Sequence, residues 1–414
     1  MGFFIDDFYP ASGGVARSVQ LQVSALTELG HEVTLFVPRA GLEPTGDQPV
    51  VPLPTLRLPG TPSFTCSLRF GGREVGAVVE QGMFDVVHSH NERGGMALAA
   101  KVARETGAAH VHTFHSNYAG THSTTPRLAA LNSVTFLTLA PLILGSAASD
   151  RPTLHTRTPR RELVAERSRL ARHDWRNLAR FARNVDAFTS PARYVVDSIV
   201  DASRGQLADR AHVVATGVPD AFVNARRGRP VGEPPFRFIS CGRLSPEKRI
   251  DTLIRAFAGL PDTAELLVVG TGPQEAALRT LADRLAPGRV RFTGHIQHPE
   301  AVAQHLADAD VFALASHRFD TQGIVLAEAA AAGVPIIYCD DRLDVGVSPE
   351  NALLTKPSVA GLAAGMQTLM GDPERLARMA RASRELGLRL GTRAMAENYL
   401  AVYARAIERA ELNP

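Results

Sequence analysis

The sequence predicts an α/β protein made of two doubly wound parallel sheets. Three observations carry this. The chain has 414 residues, about three times a typical domain, so two domains are expected. Short β-branched or aromatic runs alternate with helical patterns along its length, and the alternation runs twice. The stretch 224–235, NARRGRPVGEPP, has no apolar period and is rich in Pro, Gly and Arg, which reads as a linker.

The expected strands of the first half are Gly2–Asp6, Glu32–Val37, Asp85–His88, His110–Phe114, Ala187–Ser190 and His212–Ala215. Those of the second are Arg237–Cys241, Glu265–Val269, Val290–Thr293, Val311–Ala315 and Pro335–Cys339. Most are apolar throughout rather than alternating, the pattern of a parallel sheet covered by helices on both faces. Helices fill the gaps; over 250–260, Ile250, Leu253, Ile254, Phe257 and Leu260 repeat at helical spacing. The expected domains are 1–223, then the linker 224–235, then 236–392. A last helix, within 393–414, packs back on the first domain.

Composition narrows the function classes. Apolar residues make up 45% and charged residues 21%, a globular profile. A formal charge of +3 gives no electrostatic argument for nucleic acid. Cys66, Cys241 and Cys339 are too far apart in sequence for a disulfide scaffold or a cysteine zinc module. The start, MGFFIDDFYP, lacks the basic region of a signal peptide. A cytoplasmic protein is expected.

Ligands of open parallel sheets bind beyond the carboxyl ends of the strands, so chemistry is sought there. Asp320-Thr321-Gln322-Gly323-Ile324 leads from a strand into a helix that carries Glu328. A glycine at a helix N-terminus admits a ligand close to N–H groups bearing partial positive charge, which suits a diphosphate. Glu328 and Asp320 then take hydroxyls at its two ends. The plain alternative is a loop cap and a surface glutamate. Arg243 and Lys248 follow the first strand of the second half, and two cations five positions apart can flank one set of phosphates. Lys248 is one of only three lysines, 42 of the 45 basic residues being Arg. A solvated basic turn is the alternative there. Gly270-Thr-Gly272-Pro273 repeats the glycine-turn device. In the first half, Gly13-Gly14 precedes a helix and lets a phosphate or an acceptor approach the backbone.

His88, His90, His110, His112 and His115 invite a metal reading. They lack an accompanying Glu-x-x-His or cysteine partner, so no metal is expected. His110 and His112 are expected to face helices, and His115 to lie past its strand end. Asp308-Ala-Asp310 has the form of a metal-binding pair but sits between helix and strand and reads as a cap. Residues 128–148 carry no charge, long enough for a membrane span, yet polar residues interrupt them, so a buried or interfacial segment is expected. Residues 151–184 hold ten Arg against three acids. Leu163, Leu170, Trp175, Leu178, Phe181 and Val185 share one helical face. This basic amphipathic element suits an anionic membrane surface, or is a solvated face over an ordinary core stripe.

Taken together the motifs resemble a family-4 retaining glycosyltransferase of the GT-B fold. The carrying residues are Ile5-Asp-Asp-Phe-Tyr-Pro with Gly13-Gly14-Val15, Gly30-His-Glu-Val33, Asp85-Val-Val-His88-Ser-His90 and Thr113-Phe-His115-Ser116. Gly242-Arg243-Leu-Ser-Pro-Glu-Lys248, Gly270-Thr-Gly-Pro273 and Asp320 to Glu328 complete the set. The resemblance implies two facing Rossmann-like domains with a cleft between them. A nucleotide-diphosphate sugar would sit on the C-terminal domain and the acceptor on the N-terminal one. Arg243 and Lys248 would hold the diphosphate and Glu328 the ribose hydroxyls. Asp320, Thr321, Gln322, Gly323 and Ile324 would hold the donor sugar, with Gly14 and Gly272 also lining the donor site. His115 would lie near the reacting centre. Where the family pattern has a first glutamate this chain has Asp320, one methylene shorter.

The Asp320-Thr-Gln-Gly loop and the Asp-Phe-Tyr-Pro start look most like the branch acting on lipids such as diacylglycerol. The expected function is therefore transfer of a hexose from a UDP- or GDP-sugar to a membrane lipid or glycolipid, with retention, no cofactor and no metal. The enzyme would work in the cytoplasm, at the inner membrane face. A GT-B-type sugar-nucleotide epimerase and a non-catalytic nucleotide-sugar-binding protein are the alternatives.

Overall fold

The computed structural model describes residues 1–8, 13–39, 49–57, 66–117, 120, 133–134, 137–138, 169–230 and 232–412. The chain divides into two compact units. Unit 1 comprises Met1–Ala215 and Met395–Pro414, and unit 2 Thr216–Ala394. The stretch 224–235 thus belongs to unit 2.

Unit 1 is built on strands β1 (Gly2–Ile5), β2 (Thr34–Pro38) and β3 (Val50–Leu53). A short antiparallel ribbon follows, β4 (Thr55–Leu56) with β5 (Ser67–Leu68). Then come β6 (Val86–His90), β7 (Ala109–Thr113), β8 (Ala187–Ser190) and β9 (Ala211–Val213). Seven of these form one sheet in the order β3-β2-β1-β6-β7-β8-β9, parallel throughout. The apolar run at the start is explained by burial on both faces. Phe3 and Ile5 pack with Val19, Val23 and Leu26 of helix Gly13–Glu28. Phe4 points the other way and packs with Phe36, Val87 and Leu98.

Unit 2 has six strands: β10 (Phe236–Cys241), β11 (Ala264–Val269), β12 (Val290–Gly294), β13 (Val311–Leu314), β14 (Ile336–Tyr338) and β15 (Ala352–Leu354). Their order is β12-β11-β10-β13-β14-β15, again all parallel. Phe238, Val268, Val311 and Ile337 share a core with the expected helical stripe Ile250, Leu253, Ile254, Phe257 and Leu260. Both units are doubly wound and Rossmann-like.

Helix Thr392–Leu412 begins in unit 2, and from Met395 it packs in the core of unit 1 through Met395, Tyr399, Val402 and Tyr403. Its two tyrosines bring hydroxyls into that core, and each finds partners. The Gln22 amide donates to Tyr403 at 2.7 Å, and Tyr403 lies 2.8 Å from His88 Nδ1. With Tyr403 donating to His88, His88 Nε2–H donates to Thr113 at 2.8 Å, and Thr113 is 2.6 Å from Thr189. His88 and His112 lie inside β6 and β7 and are fully buried. His110 and His112 share the Ser89 hydroxyl at 2.9 and 2.8 Å. They are core histidines.

The Asp308-Ala-Asp310 pair caps the helix Pro299–Ala307 through Asp308, and it does more. Asp310, fully buried, pairs with Arg227 and Arg229 and accepts the backbone N–H groups of Gly232 and Arg237 at 2.8 Å each. Asp308 accepts from Gly228 N–H at 2.8 Å. The expected linker is tied down onto unit 2 by two carboxylates.

Of the basic amphipathic element, residues 151–168 lie outside the described residues, as does nearly all of 128–148. The described helix, Arg169–Ala182, spends its apolar stripe on unit 1. Leu178 and Phe181 are buried, followed by Val185, and Trp175 packs against the same cluster. Its exposed face is basic, with Arg169, Arg172 and Arg176. Among the described residues no helix is long and apolar enough to cross a membrane.

Candidate functional site

In a doubly wound sheet the strand order reverses at one point, and the loops that leave there part to opposite faces and open a crevice. In unit 2 that point lies between β10 and β13, which are neighbours in the sheet. The loop after β10 carries Arg243 and Lys248. The loop after β13 carries Asp320, Thr321, Gln322 and Gly323. Topology alone therefore brings the two motifs side by side.

Side chains close the junction. Lys248 Nζ forms an ion pair with Asp320 Oδ1, and Ser316 Oγ donates to the other carboxylate oxygen. Both ionic side chains are largely buried, with 20% and 10% of their surface exposed, so solvent screens the pair only in part. Arg243 is half exposed and pairs with Glu247 Oε1 at 2.8 Å. Ser245 Oγ donates to the same oxygen. Burial pushes the Glu247 carboxyl up, but the hydrogen bonds from Ser245, its own backbone N–H and Arg243 outweigh it and hold the group below its ordinary value. Each cation that the sequence singles out thus comes with its own carboxylate.

Gly323 is the N-cap of helix Ile324–Ala331 and takes a left-handed backbone, φ 68° and ψ 60°, which favours glycine. The turn aims the N-terminus of that helix toward the crevice loops. Glu328, the fifth residue of the helix, is 3% exposed. Its carboxylate is close enough to Cys241, the last residue of β10, to add to the burial that raises the thiol pKa. The alternative reading of Glu328 as a surface residue is therefore set aside.

Two of the expected donor-site residues make contacts within unit 2 itself. The Gln322 amide is spent on backbone: Oε1 accepts Thr216 N–H at 2.9 Å and Nε2 donates to Thr216 O at 3.2 Å. Any contact to a donor from this position must come from its main chain. Gly272 packs under the β10 loop, where an added Cβ would lie 2.4 Å from Leu244 O. Leu244 N–H donates to Thr271 O at 2.8 Å, and Gln274 N–H to Leu244 O at 3.0 Å. The glycine turn supports the loop that bears Arg243 and Lys248.

The sequence reading missed three contributors. Ser316 lies two residues past the end of β13; Glu247 and Ser245 lie inside the quoted Gly242–Lys248 motif. Their positions just beyond strand ends were the available signal.

In unit 1 the reversal lies between β1 and β6. Asp6, at the end of β1, is fully buried and accepts Leu68 N–H at 2.8 Å and Gly95 N–H at 3.0 Å. Burial lifts its pKa to about 7, with those hydrogen bonds and Arg93 opposing. Asp7 is lifted to about 6, again by burial first. His115 lies past the end of β7 and is partly exposed. Its Nε2 is 3.0 Å from His90 Nδ1. Burial lowers His115 to about 4, opposed by the nearby Glu92 carboxylate. Gly14, in the first turn of helix Gly13–Glu28, is exposed. Among the described residues no three His, Cys, Asp or Glu side chains are grouped to hold a metal ion.

Comparison with known proteins bears on the family and the fold. The Glycosyltransferase Family 4 model matches residues 12–222, just over half of the chain. The Glycosyl transferases group 1 model matches residues 224–386. The chain is 26% identical over 361 residues to an alpha-monoglucosyldiacylglycerol synthase of Streptococcus pneumoniae, covering 81% of this chain and 70% of that protein. It is 35% identical over 184 residues to a GDP-mannose-dependent alpha-(1-6)-phosphatidylinositol monomannoside mannosyltransferase of Mycobacterium tuberculosis. That match covers 40% of this chain and 46% of the mycobacterial enzyme, so less than half of that relative is spanned. Among solved structures, HepE of Anabaena, crystallised with UDP, superposes with a TM-score of 0.67 at 16% identity, over 97% of this chain and 99% of that one. WaaG, a glycosyltransferase of lipopolysaccharide biosynthesis, gives 0.63 at 16% identity over the same shares. At such identities the likeness speaks for the fold. With two doubly wound sheets, a polar junction at the unit 2 switch point and a family model spanning half the sequence, the chain belongs to Glycosyltransferase Family 4 and has the GT-B fold.

Proposed function

We propose that this glycosyltransferase moves a hexose from a UDP- or GDP-linked donor to a hydroxyl of a membrane lipid or glycolipid, with retention at the anomeric carbon and without a metal ion. The observation that carries the donor site is the Lys248–Asp320 junction at the unit 2 switch point. A diphosphate brings more negative charge than one carboxylate and takes Lys248 over from Asp320. The Asp320 carboxylate is then released to accept a sugar hydroxyl. Arg243 and the N–H groups at Gly323 and Ile324 complete the anion site, and Glu328 takes the ribose hydroxyls. Thr321 and the backbone of Gln322 border the sugar. Gly14 gives a phosphate or the acceptor a close approach in unit 1, and His115 serves the transferred sugar. The names of the curated relatives, which act on diacylglycerol and phosphatidylinositol mannosides, support a lipid acceptor, as does the basic face of helix Arg169–Ala182.

The bond from the anomeric carbon to the phosphate oxygen breaks, and its electron pair leaves with the nucleoside diphosphate. Arg243, Lys248 and the helix dipole stabilise that charge as it develops, which is where such groups lower a barrier. The acceptor oxygen attacks on the same face, and its proton passes to the departing phosphate oxygen. No protein nucleophile is needed. The test is turnover with and without acceptor. UDP- or GDP-release that requires lipid, with sugar found in the lipid fraction, supports the proposal. Release of nucleotide at the same rate without lipid supports the epimerase alternative instead.

A further inference from the structure

The His90–His115 contact contains one proton to be shared between two ring nitrogens 3.0 Å apart. The rings lie with centroids 5.3 Å apart and planes inclined by 28°. Burial holds both histidines well below their ordinary pKa, so both are neutral at physiological pH and each carries one N–H. Two arrangements fit the contact. Either His90 Nδ1–H donates to His115 Nε2, or His115 Nε2–H donates to His90 Nδ1.

The far side of His90 decides between them. Its side chain is fully buried, and among the described residues Nε2 has no hydrogen-bond partner. The ring is packed between His88, 4.1 Å away by centroid, and Phe3, 5.6 Å away. His88 itself is fixed by Tyr403 and Thr113. In the second arrangement His90 would bury an N–H donor at Nε2 with nothing to accept it, which folded proteins avoid more strictly than an idle lone pair. In the first, Nε2 is a bare lone pair and the single N–H is used.

We infer that His90 is a positioning residue: it donates through Nδ1–H to His115 Nε2 and thereby fixes His115 as the tautomer with its proton on Nδ1. The His115 proton then sits on Nδ1, so at that nitrogen the ring is a hydrogen-bond donor and not a proton acceptor. The tautomer stands on the contact geometry and on the burial that keeps both rings neutral. Its consequence for transfer rests on the proposed role of His115 at the sugar, and it fits a mechanism in which the leaving phosphate takes the acceptor's proton.

The experiment is a two-bond proton–nitrogen correlation spectrum of the full chain labelled with 15N-histidine, at neutral pH, with His115 assigned by its loss in His115→Phe. The expected pattern for His115 is a protonated, pyrrole-type Nδ1 and a bare, pyridine-type Nε2. A protonated Nε2, or two averaged nitrogens, overturns the inference without any variant of His90. His90→Phe removes the donor, so His115 is expected to move to Nε2–H or to average. Its kcat is expected to fall about tenfold, by analogy with the lower end for partners that orient metal-bound histidines, with donor KM little changed. His90→Asn keeps an amide N–H near the Nδ1 position and is expected to restore both. Unaltered His115 nitrogens in His90→Phe defeat the inference even in an active enzyme. The expected tautomer in a chain that transfers no sugar defeats the glycosyltransferase proposal and leaves the positioning role standing.

Discussion

Lys248 sits in an ion pair with Asp320 and beside Ser316, so its loss removes a counter-charge from the departing diphosphate and strands a largely buried carboxylate. Removal of one such group costs about 3–4 kcal/mol of activation free energy. Lys248→Ala is therefore expected to lower kcat by roughly 100- to 1000-fold with its circular dichroism spectrum kept and its thermal midpoint lowered by the unpaired Asp320 carboxylate. Steady-state kinetics beside a melting curve checks this, and wild-type turnover would remove Lys248 from the donor site.

A second residue, Asp174, gives a pH signature. It is fully buried in helix Arg169–Ala182. Burial lifts its pKa to about 7, with a hydrogen bond from Ser133 opposing. Between its ordinary value of 3.8 and about 7 the folded chain holds more protons at this site than the unfolded chain. Stability from this group therefore falls as pH rises through that window. Asp174→Asn removes the dependence, so the variant's gain in thermal midpoint over wild type is expected to grow from pH 4 to pH 8. A gain that does not change with pH would contradict the shift.

At this scale the sequence told which residue types stood beyond strand ends, and so named Arg243, Lys248, Asp320 and Glu328. It did not tell partners. That Gln322 binds Thr216 and that Lys248 pairs with Asp320 depends on how loops separated in sequence fold over one another, which no local pattern encodes.

At the scale of elements, Asp310, just before β13, pairs with Arg227 and Arg229 and accepts the backbone N–H groups of Gly232 and Arg237, which ties these residues to unit 2. Removing one partner of a buried pair leaves the others uncompensated and costs about 3–5 kcal/mol. The two arginines keep 20% and 11% of their side-chain surface in water, which screens them, so Asp310→Ala is expected at the low end, about 3 kcal/mol. Urea unfolding should show a lower midpoint with an unchanged slope; an unchanged midpoint would mean the pairs contribute nothing. Tyr403→Phe tests the last helix in the same way. It leaves Gln22 and His88 short of a partner inside unit 1, at a cost of about 1–3 kcal/mol.

Most strands were legible because both their faces are buried and the run is apolar without interruption. Four escaped notice: β4 and β5, two residues each, and β3 and β15, which are sheet edges. Val50-Val-Pro-Leu53 contains a proline and is buried only at Leu53, and Ala352-Leu-Leu354 is buried only at Ala352. An edge strand needs neither a continuous apolar run nor every ladder N–H, so its signal is short. The 224–235 stretch misled for a related reason: it is held by charge rather than by apolar period, and periodicity does not report ion pairs.

At the scale of the molecule, the net charge of +3 hides a local asymmetry. Helix Arg169–Ala182 turns Leu178 and Phe181 inward and leaves arginines outside. An apolar face buried in unit 1 is not available to enter a bilayer, so attraction by this helix is electrostatic. Binding to anionic vesicles is expected, falling steeply as salt rises and the Debye length shortens from about 10 Å at 0.1 M to about 3 Å at 1 M. The double substitution Arg172→Glu with Arg176→Glu should weaken it further in vesicle sedimentation. Binding that persists at high salt would assign the contact to another part of the chain.

The central claim is that the loops after β10 and β13 make one nucleotide-sugar site. Isothermal titration of wild type, Arg243→Ala, Lys248→Ala and Glu328→Gln with UDP-glucose and GDP-mannose tests it most directly. One donor should bind wild type at one per chain, and each of the three substitutions should weaken that binding. Equal affinity in all four proteins would contradict it.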